Sequence, residues 1–411
     1  MSGDLGLVIK ARDDRDRLVA TLYENARYGG VVTVTIDGRD IDDLPPIPDF
    51  NRSGPIPVTV TVEPGPVFTL GQVSLQGDAA ALDPAAYDLA PGEPAGSLVI
   101  LKAGEKMVDD LKAGGRPLAA LARREVVADH KNRTVDVTLA VEAGPVAPIG
   151  EVTVKGARTV DPAFIARYAR LRQGQSYSPE QLRKAAERLR ALGVFSSVTI
   201  NEGQELAADG SLPLGIVVAE GKHRYFGVGA SFSSIDGLGV EGYWGHRNLF
   251  GQAESLRLEG KVSGLGEWSG IEDLDYSAGI TFIKPGAFFP SATLEASIKG
   301  ATLTTESYDA ASVLGKVAFA YDITDYDKVS AGVSLGYDDI DDAFGNNTYL
   351  TFGVPLGYTR DTRDNKLNPT EGFNATLSAI PSYEISGETF FSSFEGSVSG
   401  YYSLGAEDRI V

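Results

Sequence analysis

From about residue 223 to the end of the chain, hydrophobic positions recur with period two. In "SLRLEGKVSG" (255–264), Leu256, Leu258 and Val262 fall on one parity and Arg257, Glu259 and Lys261 on the other. In 328–338, Val329, Ala331, Val333, Leu335 and Tyr337 alternate with Ser330, Gly332, Ser334, Gly336 and Asp338. The first such segment, "RYFGVGASFSS", sets Phe226, Val228, Ala230 and Phe232 against Gly227, Gly229 and Ser231. Strict alternation predicts β-strands with two unlike faces. Strands are expected at 224–234, over "GLGVEGYWGHRN", and at 253–263, 274–284, 291–304, 310–321, 328–338, 348–360, 372–385 and 389–403. These are about ten antiparallel strands of about ten to fourteen residues, long enough to cross a bilayer when tilted. A sandwich core would need Leu and Ile converging from two sheets. Here the second parity is small and polar, which suits a hydrated interior, with the apolar parity facing lipid. Trp244, Tyr321, Tyr337 and Tyr402 read as aromatic girdles near strand ends, "SSIDGLG" and "EISGET" as tight turns, and "DDIDDAFGNN" as a longer polar connection.

Residues 1 to about 222 have a different grammar. Helical spacing of Leu18, Leu22 and Tyr23 predicts a helix over 13–30 stopped by Gly29 and Gly30. "VVTVTIDG" and "PVTVTVEPGP" read as strands on either side of a Pro-rich connector. The pattern then restarts with a strand at 67–77, a largely helical 103–128 and a strand at 133–145. A third restart runs from "IGEVTVKGA" through "DPAFIARYAR", with an Asp N-cap and Pro at the first helical position, and "SPEQLRKAAERLRALG" to two further strands. The unit is strand–helix–helix–strand–strand, about 75 residues long, and it closes in "VEPGP", "VEAGP" or "VAEGK".

Composition narrows the chemistry. The 411 residues carry a net charge of -19, from 37 Lys+Arg against 56 Asp+Glu, so no nucleic-acid partner is expected. There is no Cys, hence no disulfide, zinc thiolate or thiol nucleophile. No apolar run approaches the length of a membrane helix. "MSGDLGLVIK" shows no basic region followed by an apolar core, which fits either a cytosolic start or a trimmed one. His130, His223 and His246 are far apart and none has a ligand-spaced partner, so each reads as a surface or interfacial residue. No phosphate-binding loop or nucleophile elbow occurs, and "DDIDDAFGN" lacks the order of a calcium loop. No enzyme activity, cofactor or metal is expected.

The repeat, with "LRALGVFSSVTI" closing its second helix, resembles the POTRA domain. The similarity covers 67–222 well and 1–63 only as the back part of a unit. It gives a partial POTRA at 1–63, POTRA units at 64–144 and 145–222, and an α+β repeat region followed by an antiparallel transmembrane barrel from 223 to 411. "GHRNLFG" (245–251), with Gly245, Asn248, Leu249, Phe250 and Gly251, resembles the turn into the third strand in the BamA superfamily of outer-membrane assembly proteins. "YTRDTRDNKLNPTEGF" (358–373) resembles its mid-barrel hallmark. There Asp361, Arg363 and Asp364 can form a local ion-pair and turn network, and Pro369 and Gly372 can end the turn and restart a strand. A V-R-G-(F/Y) lumen loop and an aromatic-ended last strand are missing, so the chain is expected to be a piece lacking roughly the last third of the barrel. About three repeats resemble the TamA branch, against five in BamA proper and two in two-partner secretion transporters.

The resemblance implies an insertase of the Gram-negative outer membrane, with its POTRA units in the periplasm. Clients would be unfolded outer-membrane proteins such as autotransporters, and the partner a TamB-like inner-membrane-anchored periplasmic protein. The first barrel strand, Tyr225, Phe226, Gly227, Val228, Gly229, Ala230, Ser231 and Phe232, would form one side of a lateral gate. The alternatives are a BamA-type general assembly factor or a two-partner secretion transporter and, from another class, a passive pore or receptor with a POTRA scaffold.

Overall fold

The computed structural model describes residues 3–46, 48–50, 54–233, 237–265, 274–305, 307–405 and 409–410. The first module is helix α1 (Asp4–Glu24) on strands β1 (Val31–Ile36), β2 (Arg39–Asp40) and β3 (Val58–Glu63), in sheet order β2-β1-β3. The second has β4 (Thr69–Gly77), a 3₁₀ turn at Pro84–Tyr87, α2 (Ser97–Ala113), β5 (Ala120–Asp129) and β6 (Thr134–Glu142), ordered β4-β6-β5. The third has β7 (Ile149–Lys155), α3 (Pro162–Ala169), α4 (Pro179–Ala191), β8 (Phe195–Glu202) and β9 (Leu212–Glu220), ordered β7-β9-β8. The last strand therefore sits centrally in the second and third modules, and its alternate residues are buried: Val135, Val137, Leu139 and Val141 in one, Leu212, Leu214, Ile216 and Val218 in the other. Asp161 caps α3 by accepting from the Ala163 N–H at 2.9 Å, with Pro162 at the first helical position.

The first helix begins at Asp4, earlier than its spacing predicted, and ends at Glu24, before Gly29. The helical reading of 103–128 is corrected: α2 stops at Ala113, and 120–129 is a strand. "GGRP" is the reason. Gly114 ends the helix, Gly115 takes φ +87°, and Pro117 cannot continue a helix.

Beyond the modules runs a single antiparallel sheet. Its strands are β10 (Arg224–Ser233), β11 (Gly237–His246), β12 (Ser255–Leu265), β13 (Asp275–Pro285), β14 (Ala292–Thr304), β15 (Tyr308–Asp322) and β16 (Asp327–Asp342). There follow β17 (Gly345–Gly353), β18 (Leu356–Asp361), β19 (Gly372–Glu384), β20 (Thr389–Ser403) and β21 (Arg409–Ile410). Consecutive strands are neighbours except β17 and β18, which together fill one place between β16 and β19. The predicted strand over 348–360 is thus interrupted at Val354 and Pro355, because Pro has no amide for the ladder. The "SSIDGLG" turn falls partly, and the chain end "AEDRIV" almost wholly, outside the described residues.

Register decides the faces. One row runs Phe226, Trp244, Leu258, Ile280, Ile298, Gly315, Leu335, Phe352, Tyr383 and Phe390, each directly opposite the next. The neighbouring row on the other face runs Tyr225, Gly245, Arg257, Thr281, Ser297, Lys316, Ser334, Gly353, Ser382 and Phe391. Facing residues in an antiparallel sheet share a side, so the alternation seen strand by strand adds up to one apolar surface. That surface is uncovered: Val228 is 86 % exposed and Ile298 61 %. An apolar face of this extent with no layer packed on it is the lipid side of a barrel wall, and the polar face lines water. Among the described residues no helix is long and apolar enough to cross a membrane.

Two smaller expectations change. Tyr337 lies within β16 rather than near a strand end. "DDIDDAFGNN" is no loop: β16 and β17 pair as far as Asp342 and Gly345, leaving only Ala343 and Phe344 to turn. Across β16–β17 the paired residues are carboxylate against amide or hydroxyl (Asp341 with Asn346, Asp339 with Thr348), whereas on the β15 side Asp341 faces Asp309.

The two-faced sheet predicts unequal tolerance of charge. Val333→Arg, mid-strand on the apolar face, should lower unfolding stability in vesicles by about 2–4 kcal/mol, whereas Ser334→Arg should change it by less than about 1 kcal/mol. Equal losses in equilibrium denaturant titrations would contradict the assigned faces.

Candidate functional site

The third module meets the sheet at the start of β10. The chain divides into two compact units, of which the second contains residues 151–173, 181–201 and 213–411. The module's helices, the Thr159 loop and the sheet's turns thus belong to one unit.

Strand β10 pairs, among the described residues, with β11 alone. Its outward side chains stand clear of the wall, Phe226 at 82 % and Phe232 at 80 % exposure. Its inward side is built from two reciprocal pairs. Tyr225 faces Gly245, and Gly227 faces Tyr243. A Cβ at either glycine would overlap the opposing ring, so each ring lies flat over backbone. The two rings are 6.0 Å apart. Arg247 lies 4.5 Å over Tyr225, and Arg257 4.2 Å over Tyr243. Arg257 donates to Glu259 at 2.9 Å, and Lys299 donates to the same carboxylate at 3.1 Å. A chain of contacts therefore fastens the first half of β10 across three further strands. The outer half has no such cover. Gly229 faces Glu241, Ser231 faces Gly239, and the β11–β12 register slips between Leu238 and Val240. Glycines weaken a strand, but an aromatic ring laid across a facing glycine restores packing. Gly227 is covered in this way and Gly229 is not.

The turn after β11 is organised by two buried carboxylates. Glu220, at the end of β9, accepts from the N–H groups of Arg158, Thr159 and Val160 at 2.7, 2.9 and 3.0 Å and from the Thr159 hydroxyl. Burial alone would raise its pKa, but the Thr159 hydroxyl and the three amides outweigh it and hold the carboxyl down to about 2. Thr159 Oγ1 in turn accepts from Asn248 Nδ2 at 3.2 Å, and Asn248 Oδ1 accepts from the Ala253 N–H at 3.0 Å. Asp161 N–H donates to the Gly251 carbonyl at 2.8 Å. Glu254 accepts from the Phe250 and Gln252 amides and pairs with Lys284 at 3.2 Å. Its pKa, which burial would raise, is lowered by those bonds. Asn248 and Gly251 thus join the turn to the third module, whereas Leu249 and Phe250 are exposed. His223 and His246, expected to be separate surface residues, stack 5.9 Å apart, and His223 Nε2 lies 3.0 Å from Thr159 Oγ1 and 3.2 Å from Glu220. Sequence separation hid the pairing, which Arg224–His246 register creates. His130 packs edge-on against Phe68.

The turn between β18 and β19 is self-contained. Arg363 forks onto Asp361 with two bonds of 2.8 Å. Asp364 accepts from the Thr370 amide and hydroxyl and the Glu371 amide, which hold its pKa well below the carboxylate range. Gly372 takes φ +94° with its Cα facing the Thr362 carbonyl, so no other residue fits. Upstream in the same motif, Tyr358 and Arg360 bond Asp327 at 2.7 and 2.9 Å and so tie this strand to the next turn. That link was not anticipated from sequence. Pro369 lies in the turn. Among the described residues, no group of three or more acidic or imidazole side chains could hold a metal.

Residues 248–411 match the Omp85 superfamily domain, and 147–221 match POTRA, described as a surface antigen variable number repeat. The chain joins POTRA to an Omp85 superfamily domain. The outer membrane protein assembly factor BamA of Nitratidesulfovibrio vulgaris is 24 % identical over 351 residues, 79 % of this chain and 42 % of that protein. The chain therefore spans less than half the length of this curated relative. The crystal structure of Haemophilus ducreyi BamA lacking POTRA domains 1–3 superposes with a TM-score of 0.62 at 15 % identity, covering 83 % of this chain and 68 % of that one, which is agreement of fold. The Omp85 sheet is accordingly an outer-membrane barrel wall, and the matched POTRA domain lies in the periplasm. The chain entering from the third module fixes the periplasmic side. Both motif turns, 247–254 and 362–371, are on it.

Two outcomes are expected from this geometry. Because the folded pKa of Glu220 is below its ordinary value of 4.5, its contribution is present above that value and is lost as pH falls toward about 2. Amides of Arg158, Thr159 and Val160 should resist exchange at about pH 6 and lose protection through that window. Glu220→Ala should remove it at every pH and cost about 1–3 kcal/mol, as for buried donors left unpaired. In Tyr243→Ala the amides around Gly227 should exchange about two- to tenfold faster, matching about 0.5–1.5 kcal/mol for an aromatic contact. Glu241→Ala, beside Gly229, should leave them unchanged.

Proposed function

We propose that this chain is the POTRA-and-gate part of an outer-membrane assembly and translocation factor that takes unfolded client proteins strand by strand at β10. The observation that carries this reading is the first strand itself: apolar side chains exposed to lipid, and an inner side fastened by aromatic and cationic cover only along its periplasmic half. A client strand adding at this edge pairs its amides with β10 instead of exposing them to hydrocarbon. The POTRA sheets offer further edges in the periplasm, of which β5 and β8 are examples. No nucleotide is required, since client folding supplies the free energy.

Autotransporters are the client class we place first, with a TamB-like inner-membrane-anchored periplasmic protein as partner. Three α/β modules ahead of the barrel support this assignment. A general BamA-type role is the second reading, supported by the curated relative. Cysteine at Val228 in the full-length protein should crosslink to client β-strands during assembly, and autotransporter strands should dominate the adducts. A broad spread of barrel clients would favour the BamA-type role. Channel conductance without any client adduct, and normal client assembly in a deletion strain, would make the protein a passive pore and defeat the proposal.

A further inference from the structure

The periplasmic turn after β13, residues 286–291, has two unlike sides. On one side it holds the third module. Gly286 lies so close to Phe164 and Tyr168 that an added Cβ would stand 3.3 and 3.2 Å from their rings. Arg170, just past α3, donates to the Pro290 carbonyl at 3.0 Å and to Asp322 at 3.1 Å. Ala287 is buried. On the other side stand Phe288 and Phe289, 83 % and 64 % exposed. Phe288 takes φ +64°, a conformation bulky residues rarely adopt, and it is held there by a closed turn in which the Ala287 N–H donates to the Ala292 carbonyl and the Ala292 N–H to the Phe289 carbonyl.

Direction identifies what covers these rings. The Phe288 ring lies 5.8 Å from that of Phe319, and Phe250, 73 % exposed in the preceding periplasmic turn, lies 6.4 Å from Phe282. Phe319 and Phe282 both belong to the lipid-facing side, in register with Leu294 and Leu256. The exposed turn aromatics therefore continue the apolar band past the strand ends, on the lipid side rather than toward the lumen. Aromatic side chains at that depth favour the boundary between headgroups and acyl chains.

We propose that the 286–291 turn is a membrane anchor for the third module: Phe288 and Phe289, joined by Phe250, enter the interfacial zone of the periplasmic leaflet, while Gly286 and Pro290 of the same turn hold α3. Bilayer contact and module placement are then one mechanical unit. This inference rests on the barrel wall and is independent of the assembly role.

The chain has no Cys, which permits single-site spin labelling. In the full-length protein, with any cysteines outside this chain replaced by Ser, labels at Phe250, Phe288 and Phe289 would be compared with Val333 on the lipid face and Lys366 at a polar turn. The host would be phosphatidylcholine–phosphatidylglycerol vesicles. Labels at the three phenylalanines should relax more with oxygen than with a water-soluble nickel chelate, as at Val333. Chelate accessibility like that of Lys366, or protection from both reagents by a covering protein, would overturn the anchor. The label at Phe250 retains the test should substitution at Phe288 prevent folding. Replacing Phe288 and Phe289 by Ser should speed amide exchange in α3 several-fold, and unchanged exchange would remove the link to the module.

Discussion

Backbone hydrogen bonding in hydrocarbon is the constraint from which this structure follows. An amide that meets lipid has no water to fall back on, so each strand of the wall must be fully paired by its neighbours. From β11 to β20 the ladder does this with antiparallel partners on both sides, and side-chain faces are then set by register alone. The row from Phe226 to Phe390 is apolar because pairing has left no other place for those side chains, and lipid accepts them. The soluble modules obey the opposite rule. In them Val135 to Val141 and Leu212 to Val218 turn inward beneath helices, and water takes the rest.

At the junction of these two regimes, polar groups must be satisfied without either solvent. Glu220 does so for three consecutive amides, Glu254 for two, and Asn248 bridges the two sites through Thr159. The result is a short, stiff connection immediately ahead of β10. The staple of Tyr225 and Tyr243 over Gly245 and Gly227 continues that stiffness into the strand, and Arg257, Glu259 and Lys299 spread it along the lumen wall. Stiffness ends near Gly229, where no ring covers the glycine and the neighbouring register slips.

Much of this was legible in the sequence because period two is a local signal. Ten strands could be placed from alternation, and their lipid and lumen faces from the smallness of one parity. The motif turns were legible because Gly372, Asp361 and Arg363 act within a few residues of one another. What failed was either punctuation or distance. "GGRP" ends α2, and reading through it merged a helix with a strand. "DDIDDAFGNN" looked like a loop because its charge masked its alternation, which only the β16–β17 register reveals. Thr159, Glu220 and Asn248 span some ninety residues, and only the third module's fold brings them together. The Tyr–Gly pairs needed register, which no single strand contains.

A graded first strand has a physical consequence for strand exchange. Freeing all of β10 at once would remove every bond to β11 and both aromatic covers together, and each amide left bare in lipid is costly. Under the proposed assembly role, freeing only the outer half would break few bonds, and an incoming client strand would replace them one by one. In that proposal the periplasmic half would stay fixed through Tyr243 and Arg257, so the register offered to that strand would not drift; a slip of one residue would turn its lipid face inward. A uniformly weak strand would open more easily yet lose this memory of register. A uniformly strong one would keep it and never open. In that proposal one glycine under an aromatic ring, below one faced by the Glu241 side chain, would meet both demands within a single strand.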